Sequence, residues 1–471
     1  MTAWTADGPI VLSVADRIKR TAAASEVVVK LHDAGVSMVA LCWVDNAGIT
    51  RVKTVPLSRF ERAAGWGIGM SPVFDVFVVD DSITTSKHIG GPGGDLRLIP
   101  DLDRVTALHA QRGWAFAPVD RFTQEGRNYP GCQRTFASKM VDLAAAEGLT
   151  AQLSFEIEWA VGTEHSGPDG TGSFVPACEG PAYGMTRVIE LGDYARRVVV
   201  ALEREGIVVE QFHPEYAAGQ MEISIAPNDP VGAADDSVLA RQTIRAVSQA
   251  HGFKASFAPS VIAGYVGNGG HVHLSLWRDR ANLLTGGPGR YGMTAEGEAF
   301  AAGILNALPA LVAVGAPSVA SYIRLVPSHW AGVYQVWGRE NREAALRLVT
   351  GSTGEQDIRS NLEVKCFDLA ANPYLVVGSL LAAGLAGTGS LPDEIAGDPA
   401  NLGDDERHER GIVRLPQSLT ESADAFEASD VLREAMGDPL FEAVLAVRRA
   451  EAELFADSSP DDVVARTRWR W

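Results

Sequence analysis

The chain reads as an α+β protein, with a small mixed unit over residues 1–123 and a larger one over residues 124–471. Three observations carry that expectation. The first stretch joins one amphipathic helix to a pair of alternating segments around a tight turn. A polar, turn-forming run from Gln124 to Gly131 then separates it from the rest. Beyond that run, four short segments read as strands with polar residues paired on one face: Phe155-Glu156-Ile157-Glu158, Met221-Glu222-Ile223-Ser224, His271-Val272-His273-Leu274 and Leu362-Glu363-Val364-Lys365. Residues i and i+2 of a strand share a face, so each segment offers a carboxylate or imidazole cluster to a common surface. One such strand is usually a solvated sheet face. Four of them, rich in Glu and His, fit the lining of a site for divalent ions and a nucleotide.

In chain order, Val14 to Ala34 is expected to be helical and to end near Gly35. Val36 to Val44 and Ile49 to Val55 alternate around Asn46-Ala47-Gly48, which predicts a β-hairpin. Gly65 to Pro72 and Gly90 to Gly94 read as glycine-rich loops. Arg134 to Ala146 is a helix closed by Gly148, and Gly162 to Gly184 reads as a long loop rich in Gly, Ser and Pro. Helices are expected over Asp193 to Glu205, Asp235 to His251 and Ala295 to Val314. Val208 to Ile225, Lys254 to Pro259 and Ser321 to Pro327 are expected to be extended. Gly403 to Gly411 reads as an exposed charged loop, and the chain from Leu419 onward as helical.

The 471 residues carry 41 basic and 59 acidic side chains, a net charge of −18, with no basic stripe. That balance argues against nucleic acid or an anionic membrane surface as the main partner. It leaves room for a phosphorylated ligand held by local arginines and metal ions. Cys42, Cys132, Cys178 and Cys366 form no CxxC pair, so neither a disulfide framework nor a thiolate zinc site is expected, and a reducing cytoplasm fits. Met1 to Ile10 has no basic start and no sustained apolar run, so no secretory signal is expected. The longest uncharged stretch, Asn372 to Leu391, reads as a buried core helix rather than a membrane span.

Glu156 and Glu158 can bind two ions or bridge them. Glu215 and Glu222 flank a glycine-containing turn that can fold them together, and Gly267-Asn268-Gly269-Gly270 precedes the paired imidazoles His271 and His273. Taken together with SYIRLVP, GRENREAALRL, NLEVKCFDLAANPYLVVGSLLAAGL and LPQSL, the blocks FEIEW, EQFHPEYAAGQMEIS and GNGGHVHLSLW resemble the glutamine synthetase superfamily of the bacterial type over most of the chain.

The resemblance implies a β-grasp-like N-terminal domain and a catalytic domain whose curved antiparallel sheet is flanked by helices. It implies two or more Mg2+ or Mn2+ ions per site, with ATP as co-substrate. Glu158, Glu215 and Glu222 match the ligands of one ion; Glu156, His271 and Glu363 match those of the other. His273, Arg342 and Arg347 match residues that hold the ATP phosphates, and Glu210 and Ser275 fall where nucleotide contacts lie. Gly267, Arg324, Trp330 and Lys365 match substrate-binding positions, and Arg324, Arg342 and Glu215 match catalytic ones. In the implied chemistry, glutamate is activated as γ-glutamyl phosphate and then attacked by a nitrogen nucleophile. The family pattern also implies a homo-oligomer, a dodecamer of two hexameric rings.

Three departures bear on the acceptor. Trp330 stands where ammonia-using members keep a flap glutamate. Gly69-Met70-Ser71-Pro72 holds no acid where they keep an ammonium-binding aspartate, and Lys365 replaces a glutamate-binding arginine. An indole can line a pocket for an alkyl amine and contact its cationic head. Sequence therefore points to an ATP-dependent γ-glutamyl–amine ligase acting on glutamate and a small primary amine. An ethanolamine-type monoamine is favoured, because no extra acid is evident near Trp330 for a second cationic head. A polyamine such as putrescine or spermine is the alternative, with Asp75, Asp80 or Asp81 supplying that acid. An ammonia-using synthetase and a non-catalytic assembly protein are further alternatives. Glu215 and the acids of Asp75 to Asp81 are candidates for the base.

Overall fold

Two sheets organise the molecule; the structure is a computed structural model and describes residues 8–91, 93–166 and 172–471. The N-terminal sheet contains β1 (Met38–Val44), β2 (Thr50–Pro56), β3 (Ile68–Met70), β4 (Leu96–Pro100), β5 (Thr106–Ala107) and β6 (Trp114–Thr123), in the order β2-β1-β6-β4-β3 with β5 paired to β6. β1 and β6 run parallel, and the other pairings are antiparallel. Helix Val14–Asp33 packs here; Ser13 and Asp16 close a capping box at its start.

The hairpin tip is set by chemistry on both sides. Asp45 Oδ1 accepts the N–H groups of Ala47 and Ile49, an Asx turn, and Gly48 takes φ +77°. A side chain at Gly48 would collide with the Ala370 carbonyl. Asn372, Arg448 and Trp471 donate to backbone carbonyls at the same tip, so the second unit clamps the hairpin.

The second sheet has ten strands. They are β7 (Leu149–Ser166), β8 (Gly172–Pro176), β9 (Val209–Pro214), β10 (Gln220–Ile225), β11 (Lys254–Ser256), β12 (Val272–Arg278), β13 (Ala281–Asn282), β14 (Trp337–Arg339), β15 (Leu346–Val349) and β16 (Asn361–Val364). Its central order is β14-β15-β16-β12-β7-β10-β9, antiparallel except for β14 with β15. One face packs on a core that includes Leu153, Ile157, Ile223, Val272, Leu362 and Val364, all 1% exposed or less. Helices Gln133–Ala146, Pro230–Ala250, Ala295–Gly315 and Pro373–Leu385 contribute to that core. The stretch from Asn372 thus forms a buried core helix. Ala295–Gly315 is long and apolar enough to cross a membrane by composition, and its apolar window is 72% buried inside the protein.

Four expectations are corrected, the first being Gly65 to Pro72, which holds the end of helix Phe60–Trp66 and strand β3 rather than a loop. The loop expected over residues 162–184 carries the end of β7 and all of β8, because Thr163 to His165 pair with Ser173 to Val175; residues 167–171 lie outside the described residues. Cross-strand pairing and the Phe174–Trp469 contact at 6.0 Å outweigh the local Gly and Ser content. Ser321 to Pro327 is a helical turn, Ser321–Arg324, rather than a strand, since a short apolar run does not settle its own period. Gly403 to Gly411 contains the helix Asp404–Glu409, exposed as expected.

Candidate active site

Strand register assembles the polar face. Pairing of β7 with β10 sets Glu158 opposite Glu222 and Glu156 opposite Ser224. β9 sets His213 opposite Glu222. On the other flank, β12 pairs with β7, β16 sets Glu363 opposite His273, and β15 sets Arg347 opposite Glu363. A cavity of ≈ 690 Å3 opens over Glu156, Glu158, His213, Glu222 and Arg347, lined also by Gly267, Arg324, Trp330, Arg342 and Lys365.

Two groups have ligand atoms lying within 4.8 Å of one another: Glu156, His273 and Glu363, and His213, Glu215 and Glu222. His213 Nδ1 faces Glu215 Oε1 at 3.4 Å and makes no hydrogen bond there, although it is buried. A buried imidazole nitrogen aimed at a carboxylate without a hydrogen bond, in an oxygen-rich set, fits a shared hard cation. The residues present therefore suit divalent metal ions.

The grouping differs in detail from the expectation. His213 joins Glu215 and Glu222, whereas Glu158 stands outside both groups of close ligand atoms. Its Oε2 accepts the Gly269 N–H at 2.8 Å and Gln220 Nε2 at 2.9 Å. His273, expected at the phosphates, stands with Glu156 and Glu363. His271 Nδ1 lies 2.9 Å from Glu156 Oε2 and 3.4 Å from Glu363 Oε1, so both imidazoles border the same pair of carboxylates.

The charges are strongly coupled. Burial would raise Glu156, but His273 and His271 hold it well below the carboxylate range. Burial likewise opposes the depression of Glu363, which Lys365 and His273 bring to about 2. Glu222 is pushed up to about 8 by burial, and its hydrogen bond holds the His213 imidazole at about 9. Without a cation, the cluster balances its excess negative charge with protons on His and Glu.

A second cavity of ≈ 250 Å3 adjoins the first, sharing Glu156, Gln211 and Ser224 as its wall. Glu210, His273 and Ser275 line it, so these three expected nucleotide residues come together. Glu210 is exposed, and Ser275 accepts a hydrogen bond from Trp277 Nε1 at 2.8 Å. Arg342 and Arg347 line the larger cavity; Arg347 is tied to Glu363 at 2.9 Å and to Glu340 at 3.0 Å.

Arg324 is buried, with Nη2 3.3 Å from His271 Nε2 and 3.2 Å from the Lys365 carbonyl, while Nη1 has no hydrogen-bond partner among the described residues. Gly267 lets this arginine approach, since a side chain there would strike the Pro259 carbonyl and crowd Arg324. Lys365 is 2% exposed and its Nζ lies 2.9 Å from Glu363 Oε1, so its charge is already shared with a candidate metal ligand.

Four aromatic side chains, Tyr183, Tyr216, Tyr265 and Trp330, line the cavity on loops outside the strands. Trp330 and Tyr216 pack at 5.5 Å, and Tyr183 lies 6.1 Å from the His213 ring. Glu215 Oε2 accepts Tyr183 Oη at 2.8 Å and the Tyr216 N–H at 3.1 Å. The Trp330 loop is held by an acid: Glu343 Oε1 accepts the Trp330 N–H at 2.9 Å. Sequence reasoning missed His213, Tyr183, Tyr216 and Glu343. His213 had a signal, as Gln211 and His213 alternate before Glu215. Tyr183 and Glu343 had none, being distant in sequence from what they touch.

The remaining acids fall elsewhere. Asp75 is fully buried, paired with Arg121 at 2.6 Å and with Tyr129 Oη at 2.8 Å. It is already neutralised and lies outside the cavity lining, which removes it as this chain's base. Asp81 pairs with Arg51 at 2.7 Å and Arg470 at 2.8 Å, and Asp80 accepts from Ser82; neither lines the cavity.

Residues 130–465 match the family model described as "Glutamine synthetase, catalytic domain". The chain is 56% identical to "Gamma-glutamylpolyamine synthetase GlnA3" of Streptomyces coelicolor, over 94% of this chain and 95% of that protein. It is 29% identical to a glutamine synthetase of Methanocaldococcus jannaschii, over 90% of this chain and 94% of the other. Among solved structures, a "novel glutamine synthase homolog" superposes with a TM-score of 0.82 at 30% identity, covering 93% of this chain and 99% of that one. By family match, similarity along nearly its whole length and fold, this chain belongs to the glutamine synthetase family.

Proposed function

We propose that this protein is an ATP-dependent γ-glutamyl–amine ligase whose acceptor is a polyamine. Membership of the family makes it a ligase that uses ATP and divalent metal. The finer choice of acceptor departs from the monoamine that sequence alone favoured. That choice rested on the lack of a second acid near Trp330; Glu343 is such an acid, bonded to the Trp330 backbone, although it stands outside the cavity lining. Similarity to a γ-glutamylpolyamine synthetase points the same way. The observation that carries the proposal is the acceptor side of the cavity. Trp330, Tyr216 and Tyr183 line it beside Glu215, a setting suited to alkyl ammonium groups through cation–π contact and counter-charge.

In this reading Glu156, His271, His273 and Glu363 hold one cation, and His213, Glu215 and Glu222 the other, with Glu158 supporting both. Mg2+ or Mn2+ fits the donor set and, when bound, offsets phosphate charge. Arg342, Arg347 and Arg324 approach the phosphates. Glu210 and Ser275 border the nucleotide, and Gly267, Arg324 and Lys365 border glutamate. The γ-carboxylate attacks the terminal phosphorus of ATP and ADP leaves, giving γ-glutamyl phosphate. The amine nitrogen then attacks the acyl carbon and phosphate leaves. The amine must first lose a proton, which we assign to Glu215, the cavity-lining carboxylate bonded to both Tyr183 and the Tyr216 backbone. We further propose a homododecamer acting in the cytoplasm; four buried free cysteines suit a reducing compartment.

The test is phosphate release from ATP, Mg2+ and glutamate across ammonium, ethanolamine, putrescine and spermine. A polyamine should give the highest kcat/KM. Best turnover with ethanolamine would return the acceptor to the monoamine class, and best turnover with ammonium would overturn the amine-ligase reading.

A further inference from the structure

Away from the active site, a cavity of ≈ 600 Å3 collects positive charge in a chain whose net charge is −18. Helix Gly192–Arg204 supplies Arg196, Arg197 and Arg204, which recur at helical spacing on one side. The segment before β6 supplies His109 and Arg112, and His251 follows helix Pro230–Ala250. Val200, Ala201, Val247 and Ala250 complete the lining with small apolar groups.

Compensation inside this cluster is thin. Asp193 serves three of the basic groups: Arg196 Nη2 at 2.8 Å, Arg197 Nε at 2.8 Å and His251 Nε2 at 3.4 Å. Glu205, the other nearby acid, is buried and occupied, accepting the backbone N–H of His109 at 2.6 Å and the Thr243 hydroxyl. Among the described residues, Arg112 and Arg204 form no ion pair, and Arg204 Nη1 instead lies 3.2 Å from His109 Nε2. Burial and the charges of Arg204 and Arg112 hold the His109 imidazole below its ordinary value, as expected beside uncompensated cations. Cations gathered in a concave site repel one another unless an anion joins them.

We propose that this cavity binds a compact, multiply charged anion carrying phosphate or carboxylate groups, held by Arg112, Arg196, Arg197 and Arg204. Guanidinium groups meet both kinds of oxyanion in bidentate geometry, and the apolar wall accommodates a short carbon or ester body. Arg112 belongs to the segment bearing the N-terminal sheet and Arg204 to a helix of the catalytic unit, so a bound anion would tie the two together. The site shares no lining residue with the active-site cavities, and the proposal does not depend on the identity of the acceptor amine.

The test is calorimetric titration of the full-length protein, free of divalent metal and at physiological salt, with inorganic tripolyphosphate in one arm and citrate in the other. Arg112→Gln/Arg204→Gln should weaken binding at least about tenfold, the loss expected for charge-assisted contacts. It should leave ligase activity without the anion unchanged. Arg342→Gln, in the active site, should leave this binding intact. Tighter binding of tripolyphosphate assigns the phosphate source, and tighter binding of citrate the carboxylate source. Binding of neither anion, or binding unaffected by Arg112→Gln/Arg204→Gln, overturns the proposal.

Discussion

Replacing Glu363 by Gln removes a charge while keeping the shape, and the structure sets the size of the effect. Glu363 is 1% exposed, with Oε1 2.9 Å from Lys365 Nζ and Oε2 2.9 Å from Arg347 Nη1. Burial opposes its ionisation, yet Lys365 and His273 bring it to about 2 from an ordinary 4.5. A displacement of that size corresponds to about 3 kcal/mol favouring the charged form. Removing one member of a buried ion pair costs about 3–5 kcal/mol by a separate route. Glu363→Gln should therefore lower the unfolding free energy of the metal-free protein by about 3 kcal/mol near neutral pH, read by urea titration. Because the folded-state value is depressed, this stabilisation is present above about 4.5 and is lost as pH falls toward about 2, so the gap to the parent should close over that window. Ligation should be lost throughout, since a candidate cation loses one of its ligands. A gap below about 1 kcal/mol at neutral pH, or near-parent turnover, would refute the assignment of Glu363 as a doubly paired metal ligand.

Three other outcomes are expected. With Glu222 at about 8 and His213 at about 9, both carry a proton at neutral pH. Mn2+ binding at this pair should then release up to about two protons in weakly buffered solution, with affinity rising as pH increases; no release would exclude the pair as ligands. Trp330→Ala should raise KM for the amine roughly 3- to 30-fold, the worth of one cation–π contact, with KM for ATP unchanged; equal effects on both would mean that the indole shapes the site generally. Arg134 lies 3.0 Å from Asp120 and 2.6 Å from Asp101 beside the N-terminal sheet, and 2.9 Å from Asp235 in the core helix Pro230–Ala250. Arg134→Ala should destabilise the protein by about 3–5 kcal/mol, visible as a lowered thermal midpoint, and a change within about 0.5 kcal/mol would deny that this network joins the two units.

How much sequence revealed depended on the range of the interaction. Glu156, Glu158, Glu222, His273 and Glu363 were legible because a two-residue period puts them on one face, and antiparallel pairing then sets them side by side. His213 obeyed the same period, but the register that places it opposite Glu222 is a pairing between strands, which no local pattern states. Asp75 was a plausible acid by position alone. Its partner Arg121 is 46 residues away, and only the fold shows that its charge is already satisfied. The hairpin of β7 and β8 was hidden by a glycine- and serine-rich composition that normally marks a loop.

The two halves of the site differ in how they are held, and that bears on specificity. Each candidate metal-binding group has a strand contribution fixed by cross-strand register, so shifting one strand by a residue would turn those side chains into the core. The residues facing the proposed acceptor sit on loops. Tyr183 and Trp330 adopt left-handed backbone at φ 55° and 56°, and Trp330 is anchored by the Glu343 carboxylate rather than by a strand. Loop positions accept changes of side chain with little effect on the packed sheet beneath them. A glutamate-activating site can therefore keep its metal and phosphate geometry while exchanging one nitrogen donor for another. Trp330→Glu exposes this division directly. It should raise turnover with ammonium relative to polyamine while leaving Mn2+ affinity within about twofold of the parent, because the new acid touches the acceptor and not the sheet. A large fall in Mn2+ affinity would show that the loop and the strands are energetically one unit.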